Sequence, residues 1–312
     1  MKHIGKSYDK VDAKGILSGK PSYTGDFVPK DALIIKVLRS PHAQAKIKSI
    51  DTSKAKLIPG VEAIFTYEDV PNTRFTLAGQ TYPEPSAYDA LILDPVVRYV
   101  GDEVALVVAK DEATALKAMP LIKVEYEVQK PVLDLRTAMD HETVVHPEDD
   151  ILNHIPVGQD YKRNICVSYH KRVGDIEGEL AKCDYVVEGT YFDQATRQSA
   201  MEPFQSFGYI DHLGRIVIVS STQIVFHVRR HIARALGIPA SKIRVIKPRI
   251  GGGFGSKQTA CTELMTAFVT WKLQKPCYLL YDRTEAQTCS TTRHAREWYI
   301  RVGATKDGII QV

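Results

Sequence analysis

Residues 251–256 read GGGFGS inside the longer run KPRIGGGFGSKQ, so four glycines surround Phe254 and Lys257 follows closely. A backbone that bare exposes successive N–H groups and admits a large anionic or oxo-bearing ligand, over which Phe254 would stand. The same residues could also form a tight turn around a core phenylalanine. Two common phosphate cradles do not fit. Counted from Gly251, a P-loop would have Ser256 at its second glycine and Gln258 where Ser or Thr must meet magnesium. A dinucleotide fingerprint again meets Ser256 at its last glycine, and no βαβ unit with a ribose-binding acid lies ahead of the loop.

Other constellations are weaker. His227 and His231 are spaced i, i+4 on an expected helix, as zinc ligands can be, but no HExxH glutamate accompanies them and Arg229 and Arg230 lie between. The basic run HVRRHIARALG could serve nucleic acid by charge, yet it lacks interleaved aromatic stacking platforms. Its arginines are expected to cover an acidic neighbour or a phosphate. Five scattered cysteines with no C-x-x-C spacing suggest neither disulfides nor a cysteine-ligated metal centre, and are expected to be buried thiols.

The elements that must position the loop are legible in outline. Residues 32–49 and 95–128 alternate β-branched runs with the helical stretch DEATALKAM, giving a small α/β domain over 1–135. The acidic, proline-bearing stretch 136–162 reads as an exposed linker, and 163–312 as a second unit. In it, CDYVVEGTYF, GRIVIVSST, KIRVIKPRI and PCYLLYDR are expected as strands, QIVFHVRRHIARALG as a helix closed by Gly237, and QTACTELMTAFVTWKL as another helix. EWYIRVGATKDGIIQV reads as two strands around Lys306-Asp307-Gly308.

The 312 residues suffice for two cores. With 44% hydrophobic and 25% charged residues, the composition is that of ordinary soluble proteins. No apolar run approaches the ~18 residues that span a bilayer. The N-terminal MKHIGKSYDKVDAKG lacks the apolar core of a secretory signal, so a cytoplasmic location is expected. Residues 215–301 hold ten Arg and five Lys against four acids, which suggests an anionic partner for this part or a solvated basic face.

The loop does not stand alone. VEGTYF, AMEP, SSTQ, VIKPRIGGGFGSKQ and YDRTEAQTCSTTRH occur in the order found in the large, molybdenum-binding subunit of the xanthine dehydrogenase and aldehyde oxidase family, which the chain resembles over nearly its whole length. SGKPSYTGDF, LRSPHAQAKIKSIDTSKAKLIPGVEAIFTYEDVP and VRYVGDEVALVVAKDEATA resemble that family's α/β hammerhead domain. The form of the loop is most similar to bacterial xanthine dehydrogenase molybdenum subunits.

The resemblance implies a mixed α/β (α+β) fold, with a hammerhead domain followed by the first part of a molybdopterin-binding domain. It implies a molybdenum hydroxylase that puts water-derived oxygen on an electron-poor carbon of a purine, related heterocycle or aldehyde. The cofactor implied is molybdopterin, in its cytosine dinucleotide form, with 2Fe-2S centres and FAD on partner chains. Gln223 matches the family's glutamine beside the molybdenum, and Gly252, Gly253, Phe254 and Gly255 match the loop against the cofactor. Gln258 falls where eukaryotic members carry a substrate-binding glutamate, so it is a candidate substrate contact, as is Glu202, which also reads as a structural acid near the site. Gln198 departs from the histidine that members often show there. Family subunits continue for several hundred residues, and the catalytic glutamate lies in that further half. No catalytic residue is therefore assigned here, and the chain is expected to need that half, an Fe–S subunit and an FAD subunit for activity. The alternative is a stand-alone binding or assembly remnant; an unpaired half should instead expose an apolar patch well above roughly a few hundred Å2.

Overall fold

The computed structural model describes residues 3–20, 22–77 and 81–312. The first elements are α1 (Ala13–Leu17), β1 (Leu33–Arg39), β2 (Ala45–Asp51), β3 (Val61–Phe65), β4 (Val96–Val97), β5 (Glu103–Ala109), α2 (Glu112–Ala118) and β6 (Lys123–Val128). Beyond an irregular connection follow α3 (Ile176–Leu180), β7 (Tyr185–Asp193), β8 (Gln205–Ile210), β9 (Ile216–Ser220), α4 (Val225–Leu236), β10 (Ile243–Ile246), α5 (Glu263–Leu273), β11 (Cys277–Leu280), α6 (Arg283–Thr288) and β12 (Arg296–Ala304).

Local chemistry explains several boundaries. Asp111 caps α2 by accepting the Thr114 N–H, and Gly237 ends α4 in the left-handed region. The run IVIVS of β9 is buried at all five positions, as a central strand covered on both faces should be.

The main sheet has the order β10-β9-β8-β11-β1-β5-β3. β1 pairs in parallel with β11, Leu33 opposite Cys277, and antiparallel with β5. Segments 1–135 and 163–312 therefore lie apart in sequence but share this sheet. Ile35, Val37, Leu106 and Val108 pack in one cluster with Ile218, Val228, Ile232, Phe268 and Leu279, which buries α4 and α5 against strands of both segments. A smaller sheet, β4-β2-β6, adds a second layer, and β7 pairs with β12 in a two-stranded ribbon.

The structure departs from these expectations in several respects. α5 starts at Glu263 because Ser256–Gln258 form their own 3-10 turn and the Glu263 carboxylate takes the N–H groups of Cys261 and Thr262. The strand PCYLLYDR stops at Leu280, since Asp282 and Glu285 form a capping box that opens α6. β12 pairs over nine residues with β7, and the residues after it turn back onto its end only, through the bridge Ala304–Ile310 and the backbone hydrogen bonds of Gly303 with Gln311 and Val312. Finally, Cys277 and Cys289 are buried but Cys166 is exposed, so the five free thiols are not uniformly interior.

Candidate functional site

β9 and β10 lie side by side in parallel, so the turn into α4 and the loop after β10 emerge at the same end of the sheet. There the Gln223 N–H donates to the Lys257 carbonyl at 2.9 Å and joins the two segments. A Cβ on Gly253 would lie 2.5 Å from Gln223 Oε1, so only glycine lets that side chain rest on the loop. Gly252 and Gly255 have φ of +103° and +89°, which favour glycine. Phe254 is left-handed at φ +50° with its side chain 76% exposed, an uncommon state for an aromatic residue and one that recurs at functional loops.

Glu202 clamps this loop. Its Oε2 accepts the Gly251 N–H at 2.7 Å and the Lys257 ammonium at 2.8 Å, while its Oε1 accepts the Gln205 side chain at 2.7 Å. With three protein donors on two oxygens, Glu202 fits the reading of a structural acid. Gln258 sits on the 3-10 turn after Lys257, half-buried, with its N–H donated to the Gly255 carbonyl at 3.1 Å.

Two observations bear on whether these residues suit the implied cofactor. Gln223 Oε1 is buried without a hydrogen-bond partner, a state that costs free energy unless another group supplies one. The N–H groups of residues 252–255 find no acceptor among the described residues. An unpartnered acceptor and bare backbone donors thus lie on neighbouring segments, a mixed set that suits the N–H groups of a pterin together with the oxygens of its metal centre.

The basic helix α4 spends its arginines inside the chain. Arg230 donates to Glu84 at 2.8 Å and to the Thr81 carbonyl, Arg229 to the Ala240 carbonyl, and Arg234 to the Arg74 carbonyl. His231 is buried 3.8 Å from Glu84, while burial, then Arg230, lowers the pKa of His227 below its ordinary value. Among the described residues, no group of three or more His, Cys, Asp or Glu is placed to hold a metal ion.

Sequence reasoning found Gln223 and the glycine loop but gave Lys257 no role. A buried lysine is rare unless paired, but its carboxylate, Glu202, lies 55 positions away, so no local signal points to the pair. It also missed a cavity of about 480 Å3 where the two segments meet, lined in part by Phe75, Ile92, Asp102, Arg197, Leu264 and Met265. Burial, followed by the charge of Glu103, pushes the Asp102 carboxyl well above the usual range. No helix is long and apolar enough to cross a membrane among the described residues.

Comparison with known proteins matches residues 18–130 to "Aldehyde oxidase and xanthine dehydrogenase, a/b hammerhead domain" and residues 157–312 to "Molybdopterin cofactor-binding domain". The chain is 39% identical to a probable hypoxanthine oxidase of Escherichia coli (strain K12), covering 98% of this chain and 34% of that protein. It is 35% identical to a putative xanthine dehydrogenase molybdenum-binding subunit of the same strain, covering 97% and 39% respectively. Among solved structures, quinoline 2-oxidoreductase from Pseudomonas putida 86 superposes with a TM-score of 0.82 at 28% identity, covering 98% of this chain and 38% of that one. The chain thus spans little more than a third of the length of these proteins.

Proposed function

The chain belongs to the xanthine dehydrogenase and aldehyde oxidase family of molybdopterin-dependent oxidoreductases, and from that premise we propose that it is the part of a molybdenum hydroxylase that presents Gln223 and the glycine loop to the cofactor. The substrate is a purine or related N-heterocycle, the pterin is in its cytosine dinucleotide form, and electrons leave through iron–sulfur and FAD partner chains. The assembly is cytoplasmic, and turnover requires the remainder of the molybdenum subunit. The hammerhead unit is residues 1–135, the linker 136–162 and the cofactor unit 163–312.

The observation that carries this reading is the buried, unpartnered Gln223 Oε1 against the Cα of Gly253. A side-chain amide can donate or accept, which suits a partner oxygen that changes protonation. The amides of Gly252, Gly253, Phe254 and Gly255 supply neutral donors around it, and the exposed Phe254 ring stands free to pack against the cofactor. Gln258 orients the heterocycle through a neutral amide where a carboxylate would attract a protonated edge. When bound, the molybdenum centre supplies the oxidation itself, taking an electron pair from substrate as water-derived oxygen is added.

Support for an incomplete assembly comes from the ribbon. Tyr185, Val187, Tyr191, Trp298 and Ile300 share one face of β7 and β12, and all are exposed. A stand-alone remnant would carry polar residues there. Elemental analysis of the native-source complex, purified through this chain and resolved into its subunits, tests the proposal. Near-stoichiometric molybdenum with iron and additional chains is expected; a metal-free single chain overturns it.

A further inference from the structure

Lys257 carries its ammonium group into the interior. Its side chain is 2% exposed and stands 2.8 Å from Glu202, whose side chain is 9% exposed. Taking both charges out of water costs about as much as the pair returns, so such a pair is poorly explained by stability and better explained by the arrangement it enforces.

The arrangement is specific. Gly251 opens the glycine loop and Lys257 follows its end, and both donate to the same oxygen, Glu202 Oε2. The Glu202 N–H donates back to the Gly251 carbonyl at 3.0 Å. From the other carboxylate oxygen the line continues into the sheet: Gln205 at the start of β8 donates to Oε1, and the Tyr278 hydroxyl of β11 donates to the Gln205 side-chain oxygen at 2.7 Å. The Lys257 carbonyl in turn holds the Gln223 N–H.

We propose that Lys257 and Glu202 are positioning residues: together they clasp the two ends of the glycine loop to β8 and β11, and through the loop they hold Gln223 and Phe254 ready for the cofactor. This inference rests on the cofactor reading above. It assigns Glu202 to the loop rather than to substrate, because both its oxygens are committed to protein donors.

The test uses the native assembly purified through this chain, as wild type and as Lys257→Met, Glu202→Gln and Tyr278→Phe. Four quantities are measured: molybdenum and pterin per chain, amide hydrogen exchange peptide by peptide, the thermal midpoint, and X-ray absorption at the molybdenum edge of whatever fraction stays loaded. Expected are a roughly tenfold or greater fall in loading for the first two variants, on the scale at which supporting shells act, and a smaller fall for Tyr278→Phe. Faster exchange should be confined to 251–258 and the residues around 223, the thermal midpoint of Tyr278→Phe should stay near wild type while the charge variants lose stability through the buried partner left unpaired, and the edge spectrum of the loaded fraction should change. Wild type that lacks molybdenum removes the cofactor reading and this inference with it. Loaded wild type with equally loaded variants and unchanged loop exchange overturns the clasp and leaves the family reading intact. If the charge variants unfold globally, Tyr278→Phe decides: loop-confined exchange supports the clasp, and its absence overturns it.

Discussion

A methyl group added at residue 253 would meet the Gln223 side chain first, 2.5 Å from Oε1, 2.8 Å from Cδ and 3.3 Å from Cγ. Gly253→Ala should therefore cost little stability, about 1 kcal/mol or less, while pushing the amide off the loop. We expect a near-unchanged thermal midpoint with a marked drop in molybdenum per chain; equal loading would show that Gln223 has no part in the site. Glu263 offers a second test. Its burial pushes the carboxyl above the usual range, against the pull of hydrogen bonds from Ser220 and the amides of Thr262 and Cys261. The Ser220 hydroxyl, which donates to Glu263 Oε1, also lies within reach of the Gln205 carbonyl and can turn to it while accepting from an amide at 263, so Glu263→Gln should cost under about 1 kcal/mol, whereas Glu263→Ala, which orphans two buried N–H groups, should cost roughly 2–4 kcal/mol in urea unfolding. At this scale Gln223 and Phe254 were legible because each sits in a contiguous motif. The Lys257 partnership was not, because Glu202 is 55 positions away and nothing in local spacing encodes the pairing.

α4 could be read almost to its ends, because its apolar stripe and Gly237 are both local signals. α5 could not: it is apolar nearly all round, so its pattern carries no face, and its start was set by the Glu263 carboxylate and the preceding turn. Strand partners were less legible still, since β7 and β12 find each other across more than a hundred residues. β8 escaped notice because QSFGYI, buried over its first four residues, has no clean alternation. The close approach of α5 to β8 depends on Gly208, where a Cβ would lie 2.3 Å from Thr270 Oγ1 and 3.1 Å from Ile218 and Thr266. Gly208→Ala is therefore expected to destabilise by about 1–3 kcal/mol through overpacking, read as a lower urea midpoint at unchanged slope. A neutral result would mean that the helix can move away from the sheet.

Across the whole molecule, charge ties the irregular connection to the first segment. Arg98 donates to the Val145 carbonyl and pairs with Glu148, whose carboxyl is brought down to about 2: burial alone would raise it, but His146 and Arg98 outweigh that. A carboxyl lowered in the fold contributes stability that is present above its unfolded value and lost as pH falls toward the folded one. The urea midpoint should thus decline between about pH 4.5 and 2, and Glu148→Gln should flatten that decline; an unaltered acid limb would exclude this pair as its source. The two segments were legible as separate styles of sequence, but their union in one sheet was not, because β1 and β11 carry no mark of each other. That union has a consequence in time. β1 leaves the ribosome with β5 and β3 close behind, yet its other neighbour begins at Cys277, 244 residues after Leu33. At synthesis rates of about 5–20 residues per second, one edge of β1 stays unpaired for roughly 10–50 s, a window in which a chaperone or a neighbouring nascent chain competes with the chain's own later strands for the same backbone groups.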